Sequence, residues 1–340
     1  MEKVKFGIIG AGLWGEMHAR TYWNHPLVEI GGVCDMNEAR AKQIAAQYEA
    51  EQHYTDYRAL LKRDDIAAVS IVTPDFAHTE IAVAAARAGK HILLEKPMAT
   101  TVADCEKILS EVARTKVTFM VDFHTRWSPP FVKAKKAIEE GEIGDPLMID
   151  YRLSDTIYVP TKMLSWAGQS SVLWFIGSHC IDTISWLLED RVARVYAVSR
   201  SKVLASKGID TPDFFQTILE FKKGAVANLE NCWVLPERAP NLIDLKCEIV
   251  GSHGVLYMDG SHHRMLQKYT QKEATYPDVF VCPVIYEKAT GFAFESIRHF
   301  IDCVLFDHEP MIPHEAGLEV TKVIVAMLES ARSGMPVSVA

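Results

Sequence analysis

Six residues near the start, Gly10-Ala11-Gly12-Leu13-Trp14-Gly15, carry the spacing G-x-G-x-x-G. The first glycine of such a set permits a tight turn, the second lets a pyrophosphate approach the backbone, and the third lets a helix lie close on a strand. The N–H groups that open the helix then receive phosphates. Asp35 stands 20 residues after Gly15. A carboxylate there accepts hydrogen bonds from the adenosine ribose hydroxyls and repels a 2′-phosphate, which favours NAD over NADP. The same residue also suits a helix N-cap.

Three further places hold side chains suited to chemistry. Lys96, in Glu95-Lys96-Pro97, is an ammonium that could polarise a carbonyl or lower the pKa of a hydroxyl as hydride leaves, although spacing alone favours a solvated loop lysine. His179 and Asp182, three apart in Gly177-Ser178-His179-Cys180-Ile181-Asp182, share a helix face. The carboxylate could orient the imidazole or meet a substrate, while a histidine in so apolar a stretch also reads as a core residue. Tryptophans 14, 127, 166, 174, 186 and 233 offer aromatic faces suited to sugar C–H groups, or simply bulk for a core.

The elements that must position these groups alternate. Val4–Ile9 reads as a strand closing on the glycines, Glu16–Trp23 as a helix, Val28–Cys34 as a strand ending at Asp35, and Asn37–Tyr48 as a helix. Tyr57–Lys62 (helix), Ala67–Val72 (strand), Thr79–Ala88 (helix), His91–Leu94 (strand), Thr101–Arg114 (helix) and Val117–Val121 (strand) follow. Thr101-x-x-Asp104 resembles a capping box with Asp in place of Glu or Gln. Strands alternating with helices imply a parallel, doubly wound Rossmann sheet over residues 1–123, the first domain. Ligands bind such sheets at the carboxyl ends of the strands. Thr73-Pro74, Glu95 to Pro97 and Asp122 to Arg126 are therefore expected to line one crevice.

The character then changes. A helix at Phe131–Glu140 leads to the turn cluster Gly141-x-x-Gly144-Asp145-Pro146, which reads as a domain seam. Strands at Leu147–Leu153, Val192–Ser199, Phe214–Phe221, Ala225–Trp233, Leu245–Val250 and Val255–Met258 imply a large, mostly antiparallel open sheet. Helices are expected at Val172–Leu188, Ala293–Leu305 and His314–Ala331. Residues 124–340 thus form a second, α/β domain for substrate binding and oligomerisation, with the sheet carrying helices on one face and burying the other in a homodimer or homotetramer.

Composition narrows the partners. The 340 residues are 49% hydrophobic and 24% charged, a globular balance. A net charge of −8 disfavours nucleic acid or an anionic membrane and leaves a small molecule. Seven cysteines sit singly with no C-x-x-C pair, which reads as reduced thiols in a cytoplasmic protein and not as disulfides or a zinc site. Lys3 and Lys5 precede an apolar stretch, but it is short and runs into glycines, so it reads as a buried strand and not a secretion signal. His253, His262 and His263 read as loop residues, and no spacing argues for a metal.

The stretches GIIGAGLWGEMHA (7–19), VCD (33–35), VTPDFAHTEIAVAAARAGKHILLEKPMA (72–99), DFHTRWSPPFVKAKKAIEEGEIG (122–144) and GSHCID (177–182) together resemble the Gfo/Idh/MocA oxidoreductases, strongly to about residue 144 and loosely thereafter. The resemblance implies NAD- or NADP-linked oxidoreduction of sugars, polyols or their derivatives. It implies coenzyme contacts from Gly10 to Gly15 and from Asp35, Thr73, Pro74, His78, Glu95, Lys96 and Arg126. It also implies catalytic roles for Lys96 and His179, and it leaves Lys96, Asp155, Trp166, His179 and Asp182 as substrate-contact candidates. One departure stands out: many members carry an aspartate four residues before the histidine, and here that residue is Phe175. Lys96 and His179 then act without it, Asp155 or another carboxylate replaces it, the substrate differs from a simple inositol, or catalysis is lost. Beside the NAD-dependent dehydrogenase, a non-catalytic dinucleotide-sensing regulator and an NAD-using glycoside hydrolase stay open.

Overall fold

The computed structural model describes residues 2–261 and 265–340; His262 and His263, read as loop residues, lie outside the described residues. The chain divides into two compact units, residues 1–124 with 281–318 and residues 125–280 with 319–340.

In the first unit, strands β1 (Val4–Ile9), β2 (Val28–Cys34), β3 (His53–Tyr54), β4 (Ile66–Ile71), β5 (His91–Leu94) and β6 (Phe119–Val121) form one sheet in the order β3-β2-β1-β4-β5-β6. Every pairing is parallel. The strands read as nearly unbroken apolar runs because both faces are covered: Phe6, Ile8, Val33, Val69, Ile71, Ile92, Leu93 and Met120 are all buried. The order reverses between β1 and β4, and the crevice beyond their carboxyl ends is where a doubly wound sheet takes its ligand.

Helices α1 (Leu13–Trp23), α2 (Glu38–Gln47), α3 (Tyr57–Leu61), α4 (His78–Arg87) and α5 (Val102–Thr115) connect the strands. The Thr101 side chain caps α5 by accepting from the Asp104 N–H at 3.1 Å and donating to the Asp104 carboxylate at 2.7 Å. That is a capping box closed through the threonine hydroxyl, because aspartate is one methylene shorter than glutamate.

The first unit is not a single stretch of chain. The sequence pattern assigned everything after residue 123 to the second domain, but residues 281–318, with helix Phe292–Phe306, belong to the first. Phe294, Ile297, Phe300 and Ile301 on that helix are fully buried, and the Phe300 ring meets the Phe6 ring of β1 edge-on at 6.3 Å. Local periodicity marks such a helix as amphipathic without saying which sheet it covers.

In the second unit, helix α6 (Pro129–Glu139) leads into β7 (Pro146–Asp155), and a sheet is completed by β8 (Val192–Arg200), β9 (Phe214–Phe221), β10 (Val226–Cys232), β11 (Ile243–Gly251), β12 (Val255–Asp259) and a closing strand at Val337–Ser338. The order is β12-β11-β7-β10-β9-β8 and then the closing strand. Only β7 and β10 run parallel. The turn at Gly141 to Pro146, read as a seam, joins α6 to β7 inside this unit.

Ala197, Thr217, Leu229, Tyr151 and Cys247 lie in one row across paired strands and are buried. Phe131 of α6 stacks on Tyr151 at 5.7 Å. The helix expected over Val172–Leu188 opens instead with a wide π-helical turn, Leu173–Gly177, before regular α7, Ser178–Leu188. No helix among the described residues is long and apolar enough to cross a membrane, and all seven cysteines are free.

The return of residues 281–318 predicts that Phe300→Ala, by opening a cavity beside Phe6, costs about 3–5 kcal/mol. A drop in the urea midpoint at unchanged m-value measures it; an unchanged midpoint rejects the integration of this helix into the first unit's core.

Candidate functional site

In the first unit the three glycines of the opening turn meet three different demands. Gly10 has φ +105°, and a Cβ there would lie 2.3 Å from the Val72 carbonyl oxygen. A Cβ on Gly15 would lie 2.0 Å from the Gly10 carbonyl oxygen, so α1 rests directly on the turn. A Cβ on Gly12 would meet nothing within 4 Å. Open space at the second glycine, between two positions that are sterically closed, is the cradle a pyrophosphate requires.

Asp35 ends β2 with both carboxylate oxygens engaged: Oδ2 accepts from the Ala11 N–H at 2.7 Å and Oδ1 from the Asn37 N–H at 2.8 Å. The N-cap of α2 is Asn37, whose side chain accepts from the Arg40 N–H, so Asp35 braces the glycine turn and does not cap the helix. Each oxygen keeps a lone pair for a ribose hydroxyl. Arg40 donates to the Ala11 carbonyl at 2.7 Å and to Glu16 at 2.7 Å, so the nearest arginine is held by protein acceptors. Thr73, beyond β4, leaves its buried Oγ1 without a hydrogen-bond partner, a donor for a group the protein does not supply. These residues fit a bound dinucleotide.

His78, expected at the coenzyme, is buried with Nδ1 2.7 Å from the Pro97 carbonyl and Nε2 2.9 Å from the Thr73 carbonyl. No polar atom of the ring is left for a ligand; it ties the Thr73 loop to the Lys96 loop instead. Burial lowers its pKa against the pull of those two carbonyls.

Glu95, also expected at the coenzyme, is buried and faces inward, its Oε1 3.1 Å from His18 Nε2. Burial pushes it up to about 7, while the Lys96 charge nearby pulls the other way. Lys96 itself is half-buried. Its charge also reaches His124, which burial takes down to about 3. Trp14 lays its ring 5.4 Å from His124.

His18 was not singled out by spacing, and Asp122 entered only as the first residue of a segment expected to line the crevice. His18 follows Gly15 by three on α1 and Asp122 follows β6, so a polar residue recurring on the face that Gly15 presses to the sheet was the available signal.

In the second unit the expected pairing of Asp182 with His179 is not formed. Asp182 takes both hydrogen bonds of a fork from Arg126, at 2.9 and 2.6 Å, with both side chains buried. Arg126, expected at the nicotinamide, is thereby committed, and its guanidinium also lies 5.9 Å from the Trp186 ring centroid. A planar guanidinium matches a carboxylate better than an imidazole does. His179 instead has Thr125 Oγ1 3.4 Å from its Nδ1. Asp155, a substrate-contact candidate, is buried and accepts from the Trp233 indole N–H at 3.1 Å. Phe175 sits in an aromatic group, 6.4 Å from Trp166 and 5.9 Å from Trp233.

A glycine-cradled, parallel doubly wound sheet with an acid-anchored second strand defines a dinucleotide-linked oxidoreductase. Residues 4–123 match the family model for the NAD-binding Rossmann fold of the GFO/IDH/MocA oxidoreductases, and residues 131–257 match that family's C-terminal domain. The chain belongs to this family. It is 31% identical to levoglucosan dehydrogenase of Pseudarthrobacter phenanthrenivorans over 68% of this chain and 67% of that one. It is 25% identical to the NAD(+)-dependent scyllo-inositol 2-dehydrogenase of Bacillus subtilis, covering 98% and 96%. In fold it matches scyllo-inositol dehydrogenase of Lactobacillus casei, solved with NAD(H) and scyllo-inositol, at TM-score 0.84 and 20% identity, covering 99% of each chain.

Gly12→Ala is expected to leave the thermal midpoint in place, since the new methyl enters open space, yet to weaken NAD binding about tenfold or more, roughly 1.4 kcal/mol. Gly15→Ala is expected to lower the midpoint. Titration calorimetry beside thermal melts separates the two, and equal stability of both variants contradicts the steric reading.

Proposed function

We propose that the protein is an NAD-dependent dehydrogenase or reductase acting at a ring carbon of a sugar, a cyclic polyol or a sugar derivative. The observation that carries this reading is Lys96, a half-buried ammonium at the carboxyl edge of a dinucleotide-binding sheet. The named activities of relatives on inositols and on an anhydrosugar support the substrate class. Bound NAD supplies the hydride acceptor.

Lys96 holds the substrate oxygen and lowers the pKa of the hydroxyl that must lose its proton. His179 receives that proton, with Thr125 setting the ring. Trp166, half-exposed beside Phe175, offers a flat apolar face to ring C–H groups. An aromatic neighbour in place of an acid favours substrates with fewer hydroxyls to satisfy, such as anhydrosugars, over fully hydroxylated inositols.

The second unit also supports a homo-oligomer. Tyr196, Ile218, Met148, Val226 and Tyr257 are exposed on the sheet face opposite the buried row, a surface suited to a second copy. Free thiols throughout fit a reducing, cytoplasmic setting. A second reading, a dinucleotide-sensing regulator, draws on Phe175 and predicts NAD binding without turnover.

Incubating the protein with NAD and a panel of inositols, hexoses, anhydrosugars and sugar nucleotides is expected to produce NADH with at least one. On that substrate Lys96→Ala and His179→Ala each lower kcat by about 10²–10⁴. Unchanged turnover in both variants removes the assigned roles; binding without any turnover favours the regulator.

A further inference from the structure

Beneath the Lys96 loop, α1, β4, β5 and β6 of the first unit bring five polar side chains together, none more than 6% exposed: Tyr22, Ser70, His18, Glu95 and Asp122. The Tyr22 hydroxyl bonds Ser70 Oγ. Ser70 Oγ lies 2.9 Å from His18 Nδ1, and His18 Nε2 lies 3.1 Å from Glu95 Oε1 and 3.9 Å from Asp122 Oδ2.

One assignment of the protons satisfies every group in this series. Burial takes His18 down to about 4, leaving a neutral ring with one N–H. With the Tyr22 O–H donated to Ser70, the Ser70 O–H is free to donate to His18 Nδ1, and His18 Nε2–H then donates to Glu95. In this assignment Glu95 is an acceptor. Asp122 is fully buried, and among the described residues neither of its oxygens has a hydrogen-bond partner at bonding geometry, the Ser296 hydroxyl being among the groups that face it. One of its oxygens lies within 4.8 Å of a Glu95 oxygen, and both burial and the Glu95 charge drive Asp122 toward the neutral acid. Two buried carboxylates cannot both ionise at such a separation, whereas one proton between them satisfies both.

We propose that Asp122 is protonated at neutral pH and donates to an ionised Glu95, so that the pair carries one negative charge and holds Lys96 as an ammonium. Glu95 and Asp122 are positioning residues: they act through Lys96. That consequence rests on the function proposed for Lys96; the protonation of Asp122 does not. The groups that face the pair are His18, Tyr22 and Trp14 from the α1 segment, Lys96 after β5, His124 after β6, and Ser296 from the Phe292–Phe306 helix. Of these only Lys96 carries a charge at neutral pH, and it stabilises the anion.

The sign of the pH dependence follows. An aspartyl group whose native pKa is raised above its unfolded value, about 3.9, binds more proton in the native state over that window, so stability falls as pH rises through it. Asp122→Asn supplies an amide N–H in place of the acid O–H and removes this slope.

Three measurements test the proposal. In protein labelled with [13C]aspartate, infrared spectroscopy at neutral pH is expected to show a protonated aspartyl C=O band that Asp122→Asn removes. Chemical denaturation across pH is expected to lose a slope in the same variant. In the pH profile of kcat, Asp122→Asn is expected to leave the Lys96 limb in place, while Glu95→Gln/Asp122→Asn, which removes the charge, moves that limb down by about one unit or more.

Absence of the band in the labelled wild type overturns the proposal, and this arm needs neither a folded variant nor a substrate. A limb shift in Asp122→Asn as large as in the double variant overturns it too. So does stoichiometric metal in the wild type that Asp122→Asn loses, which would put a cation where the proton is inferred. The spectroscopic and denaturation arms are independent of turnover, so failure to find a substrate counts only against the dehydrogenase.

Discussion

The seating of Gly15 on the Gly10 carbonyl is the constraint from which the first unit's chemistry follows. With no room for a Cβ between them, α1 is pinned to the end of β1 at a fixed distance and rotation. Residues three and seven further along the helix then point at the sheet, and these are His18 and Tyr22. One missing methyl group therefore serves two ends. It frames the phosphate-binding turn, and it delivers an imidazole and a phenol to the underside of the Lys96 loop, where Ser70, Glu95 and Asp122 meet them.

The layout of that first unit was legible because each of its signals is local. Strands buried on both faces must be apolar throughout, so Val4–Ile9, Val28–Cys34 and His91–Leu94 end in the structure where the residue types change. Pairings between distant residues were not legible. His179 and Asp182 share a helix face, and spacing alone suggests that they serve each other; the fork of Arg126, 56 residues upstream of Asp182, makes the better match. His78 and Glu95 belong to a recognisable run, yet the run does not say that both turn inward, because inward partners such as the Pro97 carbonyl and His18 come from other segments of the chain. A spacing tells which side chains share a side, and only the packing tells what they face.

In the second unit an aromatic group occupies ground where a family pattern calls for an acid. Phe175, Trp166 and Trp233 lie together, and Trp233 spends its indole N–H on Asp155. The wide turn at Leu173–Gly177 leads directly into the helix that carries His179. Such turns add a residue to the helical repeat and so re-aim the side chains they carry. The departure at Phe175 is thus one feature of a locally rebuilt segment and not an isolated exchange.

The interleaving of the two units bears on how the protein can be made. Because residues 281–318 belong with residues 1–124, the ribosome releases Phe6 and Tyr22 long before Phe300 exists to close over Phe6. The sheet of the first unit therefore emerges with part of its hydrophobic surface bare and waits until residues 281–318 have been synthesised, an interval in which a chaperone that shields apolar surface has something to hold.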